Sequence, residues 1–176
     1  MGFLAQKKNM KINNLIYEQI EETFVHKALV NKSCLKLSKY LHKTGRDDLA
    51  IELCRRAVIH DNSKLDDNEL GPFAKLDHEK NSLKDPNINL DDKTKNIIEV
   101  HWHKNRHHPE YFPDINDMEE IDLLEMCCDW HARSIQYKTN LLEFVKIRQE
   151  NRFHFPDEKY ERILKYCKVL IDENPW

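Results

Sequence analysis

Histidine and aspartate are the residues of this sequence whose types and spacing could do chemistry together. His60 and Asp61 lie side by side in the stretch VIHDNSK, residues 58 to 64, where an apolar run gives way to turn-forming residues. Ten of the 176 residues are histidine, and four of these stand close together in HWHKNRHH, residues 101 to 108. Imidazoles and carboxylates are common ligands of divalent ions, so the two segments indicate a metal site.

Helical periodicity turns some of these side chains inward. The sequence has three glycines and six prolines, and the segments between them repeat apolar residues at helical spacing, which predicts an all-α protein. A first helix is predicted from about Leu15 to His42, and Gly45 is suited to end it. His26 lies on the inward stripe of this helix with Val30, Cys34, Leu37 and Leu41.

The second predicted helix ends in the His60–Asp61 pair. Asp47 or Asp48 is suited to cap its start. Its apolar residues cover a wide arc, which predicts a position at the centre of the core; they are Ala50, Ile51, Leu53, Cys54, Ala57, Val58 and Ile59. By the same helical phase both His60 and Asp61 face inward as the helix ends.

The polar segment 62–90 separates this helix from the histidine-rich one. It carries a Gly-Pro and an Asp-Pro pair, which predicts a lid or substrate loop with at most one short helix around residues 73–81. A third helix starting after Asp91 or Asp92 places His101 on its apolar side and His103 outside.

The C-terminal part predicts two more helices. Residues 118–137 would form one, with Asp129 beside its apolar stripe and Glu125 suited to support a ligand imidazole; the stripe consists of Ile121, Leu124, Cys128, Ala132 and Ile135. The last helix, about residues 157–172, carries apolar residues at helical spacing and is expected to be purely structural. We expect one domain over residues 1–176, built as an all-α bundle of about six or seven helices.

Buried carboxylates and imidazoles together favour a bound ion. A buried carboxylate without a partner is so costly that it neutralises, pairs or binds a metal. A single buried histidine is more often an ordinary core residue. Four groups that converge from three helices, namely His26, His60, Asp61 and Asp129, predict a metal site.

This order of residues resembles the HD-domain superfamily of metal-dependent phosphohydrolases, whose pattern is H, then HD, then D on successive helices. Here the pattern reads His26, His60–Asp61 and Asp129, the last in LLEMCCDWHA. The resemblance covers about residues 20 to 140. It implies an HD-domain-like helical bundle whose side chains hold one or two divalent ions, among Mn, Fe, Co, Ni, Zn or Mg.

The segment HKNRHHPEY extends the resemblance. It is similar to an uncharacterised HD-like branch in which HHPEY is followed by CDW, and more distantly to the HH-E segment of cyclic-dinucleotide phosphodiesterases. In the latter, additional histidines bind a second metal, which implies His101 and His107 or His108 as further ligands. Lys64 stands where the deoxynucleotidase-like members carry a catalytic Glu, and Ser63 stands where HD-x-G-K enzymes have glycine.

The expected function is hydrolysis of a small phosphorylated substrate, with a nucleotide as the first candidate, by metal-bound hydroxide in a phosphatase or phosphodiesterase reaction. Asp61 would bridge two ions, Lys64 would neutralise a phosphoryl oxygen in catalysis, and Arg106 would join Lys64 in binding substrate. Arg133 is an alternative phosphate ligand, although a surface ion pair suits it better. A solvated loop position is the alternative for Lys64.

Two other functions fit the same residues. A diiron oxygenase of the HD fold could use the HD-x-x-K motif and the extra histidines as ligands. A non-catalytic binding or regulatory module could keep the metal as a structural staple, with a closed ligand set. Redox-active iron and oxygen consumption would identify the first alternative.

Composition limits the classes of binding partner that we expect. A net charge of -3, a pI near 6.4 and dispersed charges predict no nucleic-acid footprint. Without a long apolar run or a signal-peptide core, we expect no membrane association and a cytoplasmic location. The five cysteines form no C-x-x-C pair, which predicts reduced thiols, and an oligomer is left open.

Overall fold

The computed structural model describes the backbone of residues 3–83 and 92–172 and the side chains of residues 13–78 and 95–172. These residues form helices and contain no strand, which confirms the all-α prediction. The seven α-helices are α1 (Phe3–Lys43), α2 (Asp47–Ile59), α3 (Asp67–Leu83), α4 (Asp92–Lys104), α5 (Glu120–Tyr137), α6 (Leu141–Arg148) and α7 (Asp157–Ile171). No helix in the described ranges has the length and apolar character needed to cross a membrane.

Helix α1 begins at Phe3 rather than near Leu15 and ends as predicted. Gly45 adopts a left-handed φ of 74°, which a residue without Cβ reaches at little cost. Its N–H donates to the His42 carbonyl, and the Arg46 N–H donates to the Leu41 carbonyl. This paired arrangement is a Schellman motif, and it reverses the chain so that α2 packs back along α1.

The central helix of the core is α5, not α2. Every residue from Ile121 to Trp130 is buried, and α5 packs against α1, α2 and α7. On α2, by contrast, Ile51, Val58 and Ile59 are more than half exposed, so the predicted central position of α2 is wrong. Ile135, predicted to face inward on α5, is also exposed. A wide apolar arc shows that a helix can be buried on several sides, whereas neighbouring helices decide which sides are covered.

The α2 helix begins differently from the prediction. The N-cap position is Arg46, which makes no side-chain capping bond, and Asp47 and Asp48 lie in the first turn. Their negative charges still interact favourably with the helix dipole there.

The segment after the His60–Asp61 pair is largely helical, which corrects the predicted loop. A 3₁₀ turn covers Asn62–Leu65, and α3 then runs from Asp67 to Leu83 with Pro72 inside it. Proline in the second turn removes one backbone hydrogen bond, a cost that tertiary packing can offset. Glu69, Phe73 and Leu76 share the buried face of α3 at helical spacing. Residues 84–90 of the proposed lid lie outside the described residues.

Candidate metal centre

The side chains predicted as metal ligands converge in the interior. They come from α1, from the turn after α2, from α4 and the loop that follows it, and from α5. Their nitrogen and oxygen atoms form two groups, each with atoms within 4.8 Å of one another: His26, His60 and Asp129 in the first, and Asp61, His101, His107 and His108 in the second. A third group, which consists of His60, His107 and Glu125, connects the two. We call the seven side chains of the first two groups the metal centre.

A backbone turn places both members of the His60–Asp61 pair in this centre. Helix α2 ends at Ile59, His60 has an extended conformation, and Asp61 has a left-handed φ of 53°. Aspartate tolerates this conformation better than most residues, because its short polar side chain can bond locally. The turn leaves His60 and Asp61 2% and 1% exposed.

The two carboxylate oxygens of Asp61 face different histidines. Oδ2 lies 3.7 Å from Nε2 of both His26 and His60. Oδ1 lies 3.3 Å from Nε2 of His101 and 3.5 Å from Nε2 of His107. Asp61 therefore stands between the first group and the second.

The centre holds buried polar atoms that the protein does not satisfy. Among the described side chains, eight buried nitrogen or oxygen atoms have no hydrogen-bond partner, and all but Gln19 Oε1 belong to the centre. They are both ring nitrogens of His26, Nε2 of His60, His101, His107 and His108, and Asp61 Oδ1. His26 Nε2 lies 2.9 Å from Asp129 Oδ1 but is not aligned as a hydrogen bond. Buried polar groups are rarely left unpaired, so this donor set fits a bound cation.

Two buried acids hold the far sides of the imidazole rings. His60 Nδ1 donates to Glu125 Oε1 at 2.9 Å, and His107 Nδ1 lies 3.4 Å from the same oxygen. On the other side, His101 Nδ1 donates to Glu69 Oε2 at 2.9 Å. A bond at Nδ1 fixes the tautomer that leaves Nε2 free to coordinate a metal, the usual arrangement around metal-bound histidine.

Both supporting acids are ionised. Burial alone would raise the pKa of Glu125, but hydrogen bonds from His107 and His60 outweigh it and lower that pKa to about 2. Burial opposes ionisation of Glu69 in the same way, and its bonds with His101, Lys104 and Ser63 lower its pKa to about 2. Each carboxylate therefore accepts a hydrogen bond from an imidazole N–H, and the proton stays on the ring.

Charge in the centre also suits a metal ion. Burial lowers the pKa of His26 and of His108, which keeps both rings in the neutral form that coordinates metals. Burial would raise the pKa of Asp61 and Asp129, but the Lys64 ammonium beside Asp61 and the His26 imidazole beside Asp129 hold each pKa well below its usual range. Two buried carboxylates thus remain charged among imidazoles.

Lys64 is buried against the metal centre rather than solvated in a loop. It lies in the 3₁₀ turn after Asp61, its side chain is 10% exposed, and Nζ bonds Asp61 Oδ2. Lys64, His26 and Arg133 line a cavity of about 50 Å³ between α1, α3 and α5. Two cationic side chains, Lys64 and Arg133, therefore share this cavity with His26 of the metal centre.

Arg106 is held elsewhere. Its Nε and Nη2 donate to the two oxygens of the fully buried Asp122 at 3.2 and 2.9 Å. Its guanidinium also stacks near the rings of Tyr111 and Phe112. Asp122 further accepts from Arg56 and from the Glu119 backbone N–H. Substrate binding by Arg106 stays a prediction, and it would require donors that Asp122 already occupies.

Sequence reasoning missed several residues of this region, above all Glu69. The Gly71–Pro72 pair concealed the helix, yet the spacing of Glu69, Phe73 and Leu76 was a helical signal in the sequence. Other predictions agree with the structure: His101 is 3% exposed and His103 is exposed, as the helical phase required.

Comparison with known proteins places the chain in a family without assigning an activity. No curated protein and no solved structure matches it. The model of DUF5662, a family of unknown function, matches residues 15–169. That range includes every side chain of the metal centre and both supporting acids. The chain therefore belongs to the DUF5662 family.

Proposed function

We propose that this chain is a metal-dependent phosphohydrolase that acts on a small phosphorylated substrate. The observation that carries the proposal is the position of Asp61, whose two oxygens face different imidazole nitrogens. The order of His26 on α1, His60–Asp61 in the turn after α2 and Asp129 on α5 supports it, because this order resembles the pattern of the HD-domain superfamily.

Some side chains of this site would bind metal ions, and others would bind the negatively charged phosphoryl group. His26, His60 and Asp129 would hold one divalent ion, while His101, His107 and His108 would hold a second, with Asp61 shared. Two such ions supply Lewis acidity to phosphoryl oxygens and lower the pKa of a water molecule. Glu125 and Glu69 keep the ligand rings oriented through Nδ1.

Lys64 and Arg133 would meet the phosphoryl group. Lys64 Nζ lies at Asp61 Oδ2, within reach of charge that develops beside the shared carboxylate. Arg133 is one-third exposed and shares the cavity with Lys64 and His26. It is therefore better placed than Arg106 to bind a phosphoryl oxygen from the solvent side.

The cavity favours turnover over a purely structural metal. Structural metal sites are closed by protein ligands, whereas catalytic sites keep access for water or substrate. The cavity lined by His26 and Lys64, at about 50 Å³, is large enough for several water molecules. Such access is what a hydrolase requires.

The test joins metal analysis to substrate turnover. The purified chain is analysed for bound elements, then assayed for phosphate release from nucleotides and small phosphate monoesters with Mn, Co, Ni, Mg or Fe added. We expect about two ions per chain, activity that chelation removes, and recovery when metal is restored.

Oxygen consumption in the same preparations separates this proposal from an iron oxygenase. A chain that binds iron, consumes oxygen with a substrate and releases no phosphate would overturn the hydrolase proposal. A chain that binds metal tightly and loses only thermal stability on chelation, with no turnover across the panel, would also overturn it.

A further inference from the structure

The cavity beside the metal centre is lined by side chains of both charges. Lys64 in the 3₁₀ turn and Arg133 on α5 are cationic, and His26 connects them to the centre. Glu22 on α1 and Asp77 on α3 bring carboxylates to the same cavity, and Gln19 on α1 adds an amide. A ligand in this space meets positive and negative groups at once.

The size of the cavity limits the ligand. At about 50 Å³, it is several-fold smaller than the roughly 300–1,000 Å³ pockets that enclose drug-sized molecules. A phosphoryl group with a short chain fits this scale, whereas a sugar and base would have to lie outside.

The charges argue against a polyphosphate. Glu22 accepts hydrogen bonds from two neutral donors, Gln136 Nε2 at 3.3 Å and the Tyr137 hydroxyl at 3.4 Å, and it also interacts electrostatically with Arg133. Additional phosphate groups would be repelled by this carboxylate. A ligand with a single phosphoryl group at Lys64 and Arg133 and a positive group toward Glu22 would complement both the cationic and the anionic side chains of the cavity.

Gln19 supplies an independent sign of a donor on the ligand. The residue is 5% exposed, its Nε2 donates to Thr23, and its Oε1 has no hydrogen-bond partner. A buried acceptor without a donor is costly. Among the unsatisfied buried atoms of the described side chains, Gln19 Oε1 is the one that lies outside the metal centre, and its side chain lines the cavity.

We infer that the cavity selects a short zwitterionic phosphate monoester, with an ammonium group a few bonds from the phosphorus. The phosphoryl group lies toward Lys64, Arg133 and the metal centre, and the ammonium group donates to Gln19 Oε1 and Glu22. This inference rests on the proposed hydrolase function and names its substrate class.

The corresponding reaction is hydrolysis. A water oxygen forms a bond to phosphorus, the bond between phosphorus and the ester oxygen breaks, and the leaving oxygen takes up a proton. The products are inorganic phosphate and an amino alcohol, and no oxidant or second substrate is required.

Binding is measured first, with ligands that cannot be hydrolysed in this way. Calorimetry on the metal-loaded chain compares 2-aminoethylphosphonate with propylphosphonate, which has the same shape and a methyl group in place of the ammonium. We expect the amino compound to bind about 10- to 100-fold more tightly, the scale of one or two charge-assisted hydrogen bonds. Equal affinities would overturn the inference.

Variants locate the preference in the cavity. Glu22→Gln and Gln19→Leu should each reduce the ratio of the two dissociation constants by about 10-fold, with unchanged metal content. Glu21→Gln is the matched control, because Glu21 is an exposed neighbour that does not line this cavity. A ratio that stays at the wild-type value in both cavity variants would overturn the assignment, and Glu22→Gln decides the matter if Gln19→Leu does not fold.

Hydrolysis separates this inference from the proposed function. Phosphoethanolamine, propyl phosphate and nucleoside monophosphates are assayed for phosphate release under the same conditions. Turnover of nucleotides or propyl phosphate at or above the rate for phosphoethanolamine would overturn the substrate class and leave the hydrolase proposal standing. Preferential binding of 2-aminoethylphosphonate without release of phosphate from any ester would overturn the hydrolase proposal and leave the cavity assignment standing.

Discussion

Two groups of polar side chains contact α5, one partly exposed and one buried, and they differ in how their polar atoms are paired. At the start of the helix, Glu120 accepts from both Arg46 and the Tyr166 hydroxyl, and Arg46 also donates to that hydroxyl at 3.2 Å. We call these three residues the Glu120 cluster. None of its atoms is among the unsatisfied buried atoms of the described side chains. In the metal centre, around Asp129, seven such atoms remain.

The difference shows that the pairing of polar atoms distinguishes a structural cluster from a candidate ligand site. Burial and the bond to Glu120 raise the pKa of Tyr166 to about 12, so the Tyr166 hydroxyl keeps its proton. Protein contacts alone therefore pair the polar atoms of the Glu120 cluster. The metal centre instead presents Nε2 atoms toward one another and toward Asp61. A polar cluster with complete internal pairing is structural, whereas converging unpaired donors imply a ligand.

The largest contrast is expected from the His60–Asp61 pair. His60→Ala and Asp61→Ala should each abolish metal binding, because each removes a predicted central ligand, and the two oxygens of Asp61 face imidazoles of both groups. Elemental analysis of the purified variants provides the measurement. Metal content equal to wild type in both would remove the basis of the site assignment.

A smaller loss is expected from His101. His101→Ala should reduce the metal content from about two ions to about one, since His101 belongs only to the second group. His103→Ala is the matched control on the same helix, where the side chain is exposed, and should change little. Dependence on His103 instead of His101 would contradict the helical phase of α4.

Lys64→Met tests charge in the cavity rather than ligation. A protonated ammonium has no lone pair for a metal, so both ions should remain bound. Turnover on a confirmed phosphorylated substrate should fall by about 100- to 1,000-fold, with a smaller change in substrate affinity. Full activity in this variant would assign phosphate recognition to Arg133 or Arg106.

Glu69→Gln should weaken the second ion without removing it. Loss of the carboxylate that holds His101 Nδ1 should reduce metal affinity by about 10- to 100-fold at one site. Titration with Co²⁺, followed by its absorption spectrum, distinguishes the two sites. Two unchanged binding phases in Glu69→Gln would show that Glu69 only stabilises the fold.

Glu120→Gln should reduce the stability of the fold but leave metal binding unchanged, so we expect the smallest effect on function from this variant. Loss of the ion pair with Arg46 should lower the free energy of unfolding by about 1 to 3 kcal/mol. Metal content should equal that of wild type, because the Glu120 cluster is complete without a ligand. Chemical denaturation and elemental analysis check the two halves of this prediction, and any loss of metal in Glu120→Gln would connect the two clusters.

Helical phase explains which parts of the site could be predicted from sequence. His26 was placed inward by a stripe that continues through Val30 and Leu41, and His101 was distinguished from His103 by their angular separation. These directions follow from the fixed rotation per residue of an α-helix. The Gly45 cap was predictable for the same local reason, since a left-handed turn favours glycine.

Contacts between distant segments explain the errors. The apolar arc of α2 predicted a central helix, but α5 occupies that position and leaves Ile51 and Val58 exposed. Pro72 favoured a loop in the sequence, yet α3 forms there. Packing of Phe73 and Leu76 offsets the one backbone hydrogen bond that proline removes. Local propensity and periodicity do not contain these tertiary terms.

The sequence by itself determined the helical class, the candidate ligand types and the direction in which His26 and His101 point about their own helix axes. Tertiary structure decided that Asp61 stands between two groups of imidazoles, that Glu69 supports His101, and that Arg133 rather than Arg106 shares the cavity with Lys64. The physical reason is that helical rotation is set by neighbouring residues in the chain. Distances between helices depend on how all the side chains of the core pack together.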